Sequence, residues 1–253
     1  MFRPRLIPVL LLKNNALVKS IKFKNYNYIG DPINAVKIFN ELKADELVLL
    51  DVDATKEGRT ISSEVVRRVG EEANMPFSVG GGITSIEDIQ RLIACGAEKV
   101  ILSSYAIKNI DFLKEASETF GSSTIVLCID IKKTFFRKKD YVFIKNGKEV
   151  TGYKPVELAK IAQDKGAGEI IIQSIYKDGT MEGYDLDLIK SISDSVTIPT
   201  VALGGCGSME DCRSAYKSGR ANGIAAGSFF VYQGLNKGVL INYPSREDII
   251  KII

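Results

Sequence analysis

Two glycine-rich segments recur 123 residues apart, and no other feature constrains the fold of this chain as tightly. The first reads Phe77-Ser-Val-Gly-Gly-Gly-Ile-Thr-Ser-Ile-Glu-Asp88 and the second Val201-Ala-Leu-Gly-Gly-Cys-Gly-Ser-Met-Glu-Asp211. Gly81 and Gly82 precede Gly204 and Gly205 by the same interval that separates Asp88 from Asp211 and Gly96 from Gly219. Each segment is a short apolar run that ends in a glycine turn and feeds an amphipathic stretch. Such a turn places backbone N–H groups around a phosphate. The same glycines would also serve a chain that only needs tight strand–helix turns. Their recurrence favours two matching half-barrels that grip a ligand with a phosphate at each end.

The length of 253 residues, 45% hydrophobic and 26% charged, suits one large α/β barrel better than two small domains. A net charge of +3 is too mild to call for nucleic acid or a membrane surface as partner. The apolar run Leu6–Leu12 is short, contains Pro8 and ends in Lys13 without a small-residue cleavage site, so it reads as a first strand. Cys95, Cys128, Cys206 and Cys212 show no C-x-x-C spacing, which predicts reduced thiols and a cytoplasmic location. Histidine is absent, which removes imidazole bases, Ser–His pairs and His-ligated metals; no metal and no cofactor is expected.

Strand-length apolar runs alternate with segments of helical period. Strands are predicted at Leu6–Leu12, Leu47–Val52, Phe77–Val79, Val100–Leu102, Thr124–Ile129, Ile170–Gln173, Thr200–Leu203 and Ile224–Ala226. Helices fall between them, for example at Pro32–Lys43, Ile86–Cys95, Pro155–Lys165 and Met209–Ser218. Thr84 or Ser85, and Ser208, precede acidic first turns as N-caps do. Eight such units describe a single (β/α)8 TIM barrel over 1–253, with half-barrels at about 1–120 and 121–253. A doubly wound open sheet is the alternative, and the internal repeat argues against it. Two inserts break the rhythm. Residues 13–30 are polar, and residues 132–152 hold Asn146-Gly147 between two β-prone runs, a hairpin signal. Both follow strand C-terminal ends, where barrel active sites sit, and both are candidate lids.

Polar residues cluster at those same ends: Asp51, Asp53, Ser103, Ser104, Asp130, Gln173, Ser174, Asp178 and Ser228. Asp130 closes an apolar run and should face the barrel mouth, where a carboxyl group can act as general acid or base or simply cap a loop. At the opposite ends, Arg5, Glu46, Lys99 and Glu169 open strands one, two, four and six. Glu46 and Glu169 are again 123 apart. Two positive and two negative groups form a neutral set, which reads either as separate surface residues or as a salt-bridged plug guarding a channel.

At this point the chain resembles HisF, the cyclase subunit of imidazole glycerol phosphate synthase. The resemblance runs nearly end to end. It rests on segments such as Arg5-Leu-Ile-Pro8, Gly30-Asp-Pro32, Asp45-Glu-Leu-Val48, Gly96-Ala-Glu-Lys-Val100, Gly166-Ala-Gly-Glu169 and Asp178-Gly-Thr-Met-Glu-Gly-Tyr-Asp185. The bottom ring disfavours HisA, the single-chain isomerase relative. The resemblance implies that ammonia from a docked HisH-like glutaminase enters the N-terminal barrel face through a gate at Arg5, Glu46, Lys99 and Glu169. It also implies phosphate contacts at Gly82, Ser103, Ser104, Asp178, Gly179, Gly205, Gly227 and Ser228, and it places Lys19 on the loop after strand one. Ser103-Ser104 stands where the family usually has Asn-Thr.

The catalytic centre departs from the family pattern. The cyclase uses two aspartates, at the ends of strands one and five. Strand five keeps Asp130, but Leu11 occupies the other position, Gln173 replaces a Thr, and Leu203 replaces a Ser. Leucine cannot transfer a proton, and losing a general acid–base group costs on the order of 10²–10⁴ in rate. Three readings follow. The chain is a HisF-like paralogue that channels ammonia; similar paralogues are linked to a third enzyme that amidinates a nucleotide sugar in surface polysaccharide biosynthesis. Alternatively it is a true cyclase of histidine biosynthesis, a lyase, or a non-catalytic activator of a glutaminase. Leu11 separates the first from the second.

Overall fold

A computed structural model describes residues 3–134, 139–234 and 238–253. Residues 135–138, within the second insert, lie outside the described residues. Eight parallel strands are β1 (Arg5–Lys13), β4 (Leu47–Asp51), β5 (Phe77–Gly80), β6 (Lys99–Leu102), β7 (Ile125–Lys133), β10 (Glu169–Ser174), β11 (Thr200–Leu203) and β12 (Gly223–Ala226). They pair in sequence order. The β7–β10 pairing and the β12–β1 pairing leave no edge, so the sheet closes. That closure decides for the barrel and against the open sheet.

Side chains alternate along each strand between two apolar layers. Ile7, Val9, Val48, Ile101, Val126, Cys128, Ile171, Val201, Leu203 and Ala225 fill the barrel interior. Residues one step along, such as Leu6, Leu10, Leu49, Leu127 and Ile170, pack outward against the helices. The flanking helices include α1 (Pro32–Glu41), α2 (Ile86–Ala94), α3 (Pro155–Asp164) and α4 (Met209–Lys217). Their starts obey the capping signals. Ser85 accepts a hydrogen bond from Asp88 N and Ser208 from Asp211 N, with nearly identical backbone angles. Two residues 123 apart thus do the same job.

The inserts carry more structure than polar loops would. Residues 13–30 form a hairpin, β2 (Ala16–Ile21) and β3 (Lys24–Gly30), with β2 antiparallel to the extended end of β1. The reason is local: Asn14 and Asn15, at φ of 50° and 60°, reverse β1 into β2, and Lys22 and Phe23, at 53° and 59°, reverse β2 into β3, the left-handed geometry of tight turns. In the second insert, β8 (Asp140–Ile144) continues antiparallel from β7 and pairs with β9 (Glu149–Val150). Its turn uses Lys145, Asn146 and Gly147, all at positive φ. The Asn-Gly signal therefore found its hairpin.

Candidate functional site

The C-terminal mouth of the barrel holds a cavity of about 550 Å³. Both glycine segments line it, from opposite sides: Gly81 and Gly82 after β5, and Gly204 and Gly205 after β11. Their geometry needs glycine. Gly82 has φ of 64°, and a methyl group there would lie 1.9 Å from the Arg59 carbonyl oxygen. At Gly205, with φ of 115°, it would lie 2.2 Å from the Gly183 carbonyl oxygen. Each turn is therefore pressed against a neighbouring backbone, whatever else it does.

Around the first segment, Ser103 Oγ is buried and has no hydrogen-bond partner among the described residues. Ser104 Oγ accepts from the Lys145 N–H at 3.0 Å, and Asn146 Nδ2 donates to the Val52 carbonyl at 2.7 Å. The turn of the second insert thus sits over this end of the cavity. Around the second segment, Gly179, Gly227 and Ser228 join Gly205. A methyl group on Gly227 would fall 2.5 Å from Lys19 Nζ, so the bare glycine seats that amine. Lys19 is buried, and its Nζ donates to the Val9 carbonyl at 2.5 Å. Burial lowers the Lys19 pKa to about 8, with Asp178 pulling the other way.

Asp178 is spent differently from a plain phosphate contact. Its carboxylate lies 3.4 Å from Ser20 Oγ, 3.5 Å from the Phe23 N–H and 3.5 Å from Gln173 Nε2. Its backbone carbonyl accepts from Lys22 N. Asp178 therefore ties down the hairpin of the first insert, which spacing alone did not reveal. Two leaves then meet over the mouth, because Gly147 of the second insert packs near Phe23 and Ile175.

Asp130 lines the cavity and accepts a long contact from Cys128 Sγ at 3.8 Å. Burial raises its pKa to about 7, and the charge of Asp178 adds to the rise. Strands β1 and β7 lie on opposite sides of the closed barrel, so Leu11 and Asp130 face the cavity from opposing walls. Val9, Leu50, Ile101 and Leu203 complete a largely aliphatic floor. Of the other polar candidates, Asp51 is engaged with Arg59 at 2.6 Å and caps the Asp53 and Ala54 N–H groups. Asp53 pairs with Lys13. Ser174 is buried and does not reach the cavity.

At the opposite end the four charges converge. Arg5 bonds both Glu46 and Glu169, and Lys99 reaches Glu169 at 2.8 Å and Glu46 at 3.3 Å. Ser78 Oγ donates to Glu46 at 3.1 Å, a fifth member that the sequence did not suggest. A depression of about 540 Å³ on this face, lined by Arg3, Pro4, Arg5, Lys99, Glu169 and Tyr216 among others, reaches the ring. Among the described residues, the space between ring and mouth is filled by the apolar interior, aliphatic apart from Cys128. The described residues include no cluster of three or more His, Cys, Asp or Glu able to hold a metal ion, and no helix long and apolar enough to cross a membrane.

Known proteins resemble the chain over nearly its whole length. The family described as "Histidine biosynthesis protein" matches residues 5–236. A Leptospira interrogans chain named "Putative imidazole glycerol phosphate synthase subunit HisF" is 47% identical over 248 residues, covering 98% of both chains. A similarly named Vibrio vulnificus chain is 43% identical, covering 98% of this chain and 95% of its own. The "Imidazole glycerol phosphate synthase subunit HisF" of Lactococcus lactis subsp. cremoris is 41% identical over 232 residues, covering 92% and 90%.

Proposed function

Because the chain belongs to the histidine biosynthesis protein family and is HisF-like within it, we propose that it is the barrel subunit of a glutamine amidotransferase complex that conducts ammonia without closing an imidazole ring. The carrying observation is one wall of the mouth. Leu11 presents an isobutyl group where the reaction of the family requires a carboxyl group, opposite a retained Asp130. One acid–base group without its counterpart supports delivery of ammonia better than cyclisation.

The remaining parts suit that task. A HisH-like glutaminase docks at the N-terminal face and releases ammonia at the ring of Arg5, Glu46, Lys99 and Glu169. Neutral ammonia can cross the aliphatic interior, whereas an ammonium ion would pay a large desolvation cost there. The mouth binds a phosphorylated small molecule, with Gly82, Ser103 and Ser104 at one end. Gly179, Gly205, Gly227 and Ser228 hold the other, with Lys19 supplying positive charge. Ammonia then serves a third enzyme, which amidinates a nucleotide sugar for surface polysaccharide. The complex works in the cytoplasm.

A second reading, the true cyclase of histidine biosynthesis, draws support from the retained Asp130 and the two glycine cradles. One assay separates them. With the cyclase substrate and ammonium salt, the purified chain should turn over at least ~10² slower than a true cyclase. Turnover within a few-fold of a true cyclase would overturn the proposal.

A further inference from the structure

The net charge of +3 conceals a segregation. Residues 13–30 carry four lysines and no acid, and residues 132–152 carry seven basic against two acidic residues. In sequence the two inserts hold a net +9, and the other residues together hold −6. A uniform surface would not divide in this way, and the described residues of the inserts, nine basic against two acidic, bring a net +7 to the end where the barrel opens.

The hairpin of the first insert divides further, into two faces with different jobs. Lys19, Ser20, Phe23 and Tyr26 line the cavity and belong to whatever binds inside. Ile21, Lys22, Lys24 and Tyr28 are exposed and are not part of its lining. Tyr28 is 71% exposed and Ile21 46%. Lys22 and Lys24 are exposed, with no carboxylate at ion-pair distance among the described residues. Among the described residues strand β3 pairs with β2 alone, so its outer edge keeps backbone groups without a strand partner there.

We propose that this outer face docks an acidic protein surface, that of the enzyme that consumes the ammonia; the identity of that partner rests on the function proposed above. Three arguments converge on a protein. A small anion held in the cavity would touch the inner face, leaving the outer one unexplained. Lysines alone would be an ordinary guard against edge-to-edge pairing, but a guard does not expose a tyrosine and an isoleucine beside them. Aromatic and aliphatic anchors ringed by charge and next to a free strand edge are the components of a protein interface. The location also has a purpose. Ammonia that emerges into water is protonated and diluted, so an exit that serves a second active site needs that site directly over it.

The test places a photo-crosslinking amino acid at Tyr28 of the full chain, expressed in its source cells, with Ile38, exposed on α1, as the control position. Tyr28 should give a discrete adduct with one protein, absent at Ile38. The Lys22→Glu/Lys24→Glu pair should reduce that adduct at least about tenfold, as should raised salt. With the purified adduct partner, barrel and glutaminase, amination should depend on glutamine. No adduct above the control, an adduct insensitive to charge reversal, or an adduct with nucleic acid, the glutaminase or a second copy of this chain would overturn the docking proposal. A charge-sensitive adduct with a protein that uses no ammonia would leave the docking face standing and remove the ammonia reading. Glutamine-dependent amination without the adduct would do the reverse.

Discussion

Glu46 and Glu169, 123 residues apart in sequence, are held by the same two cations. Arg5 forks between them on one side and Lys99 spans them on the other, so neither carboxylate has a cation to itself, and Ser78 adds a hydrogen bond to Glu46 alone. Both are nearly buried, while Arg5 and Lys99 keep partial contact with solvent. Aliphatic side chains would close a barrel floor at lower cost, since desolvating four charges can outweigh their attraction. A ring that can exchange partners, by contrast, can open and reclose without leaving the barrel.

Removing one cation should separate structure from transport. In Lys99→Ala, Arg5 alone must balance both carboxylates, which should cost about 1–3 kcal/mol of stability. Binding of the glutaminase should survive, because the Lys99 side chain is mostly buried and its amine is engaged by Glu46 and Glu169. Coupling between glutamine hydrolysis and downstream amination should fall. A pull-down together with a glutaminase assay, with wild-type and variant barrels, checks both halves. Unchanged coupling would leave the ring a structural device.

The barrel and this ring were legible in the sequence for a physical reason. Buried parallel strands must be continuous apolar runs, and charged residues at their starts have few places to point. The first insert was not legible in the same way. Residues 13–30 read as a polar stretch because what makes them a hairpin lies in backbone conformation, at Asn14-Asn15 and Lys22-Phe23, and in a distant anchor, Asp178. Ser78 joined the ring without warning, since a lone serine in a strand has no signature. The roles of Gly227 and Lys19 were separately suggested, but that one seats the other depends on a contact across 208 positions.

Restoring a carboxyl group at the vacant wall should restore part of a reaction. Leu11→Asp faces Asp130 across the cavity and supplies the missing proton-transfer group. Turnover of the cyclase substrate should rise at least about tenfold above wild type while remaining below a true cyclase, since one acid–base group is worth on the order of 10²–10⁴. Leu203 and Gln173 still occupy the floor and should account for the remainder. A steady-state assay with ammonium salt decides it; no gain would count against Leu11 as the residue that sets this chain apart from a cyclase.

Asp130 should leave a signature in the pH dependence of stability. Its pKa rises from 3.8 in an ordinary carboxyl group to about 7 in the folded barrel, first through burial and then through Asp178. The folded state therefore holds a proton that the unfolded chain releases at lower pH. Stability contributed by this group is intact below pH 4 and declines as pH rises to about 7. The Asp130→Asn variant lacks that titration. Relative to it, wild type should lose on the order of 3 kcal/mol between pH 4 and 8. Denaturant unfolding across that range measures the difference, and parallel curves would contradict it. Asp178 titrates in the same direction, so both proteins should retain a common residual slope.

Two glycine substitutions should dissociate folding from anion binding. Gly82→Ala forces a left-handed backbone on alanine and drives its methyl group into the Arg59 carbonyl, so it should destabilise the protein by about 2–4 kcal/mol. Gly227→Ala meets only the far end of the Lys19 side chain and sits at ordinary φ, so its stability cost should stay under about 1 kcal/mol. It should nevertheless unseat the amine and weaken phosphate at the second cradle. The check is a phosphate titration followed by thermal unfolding, which reads binding as stabilisation. Lys19→Met should lose the same phosphate-dependent stabilisation as Gly227→Ala, and the double variant should lose no more than either alone. Independent, additive losses would mean that the amine acts elsewhere in the mouth and that Gly227 serves the turn alone.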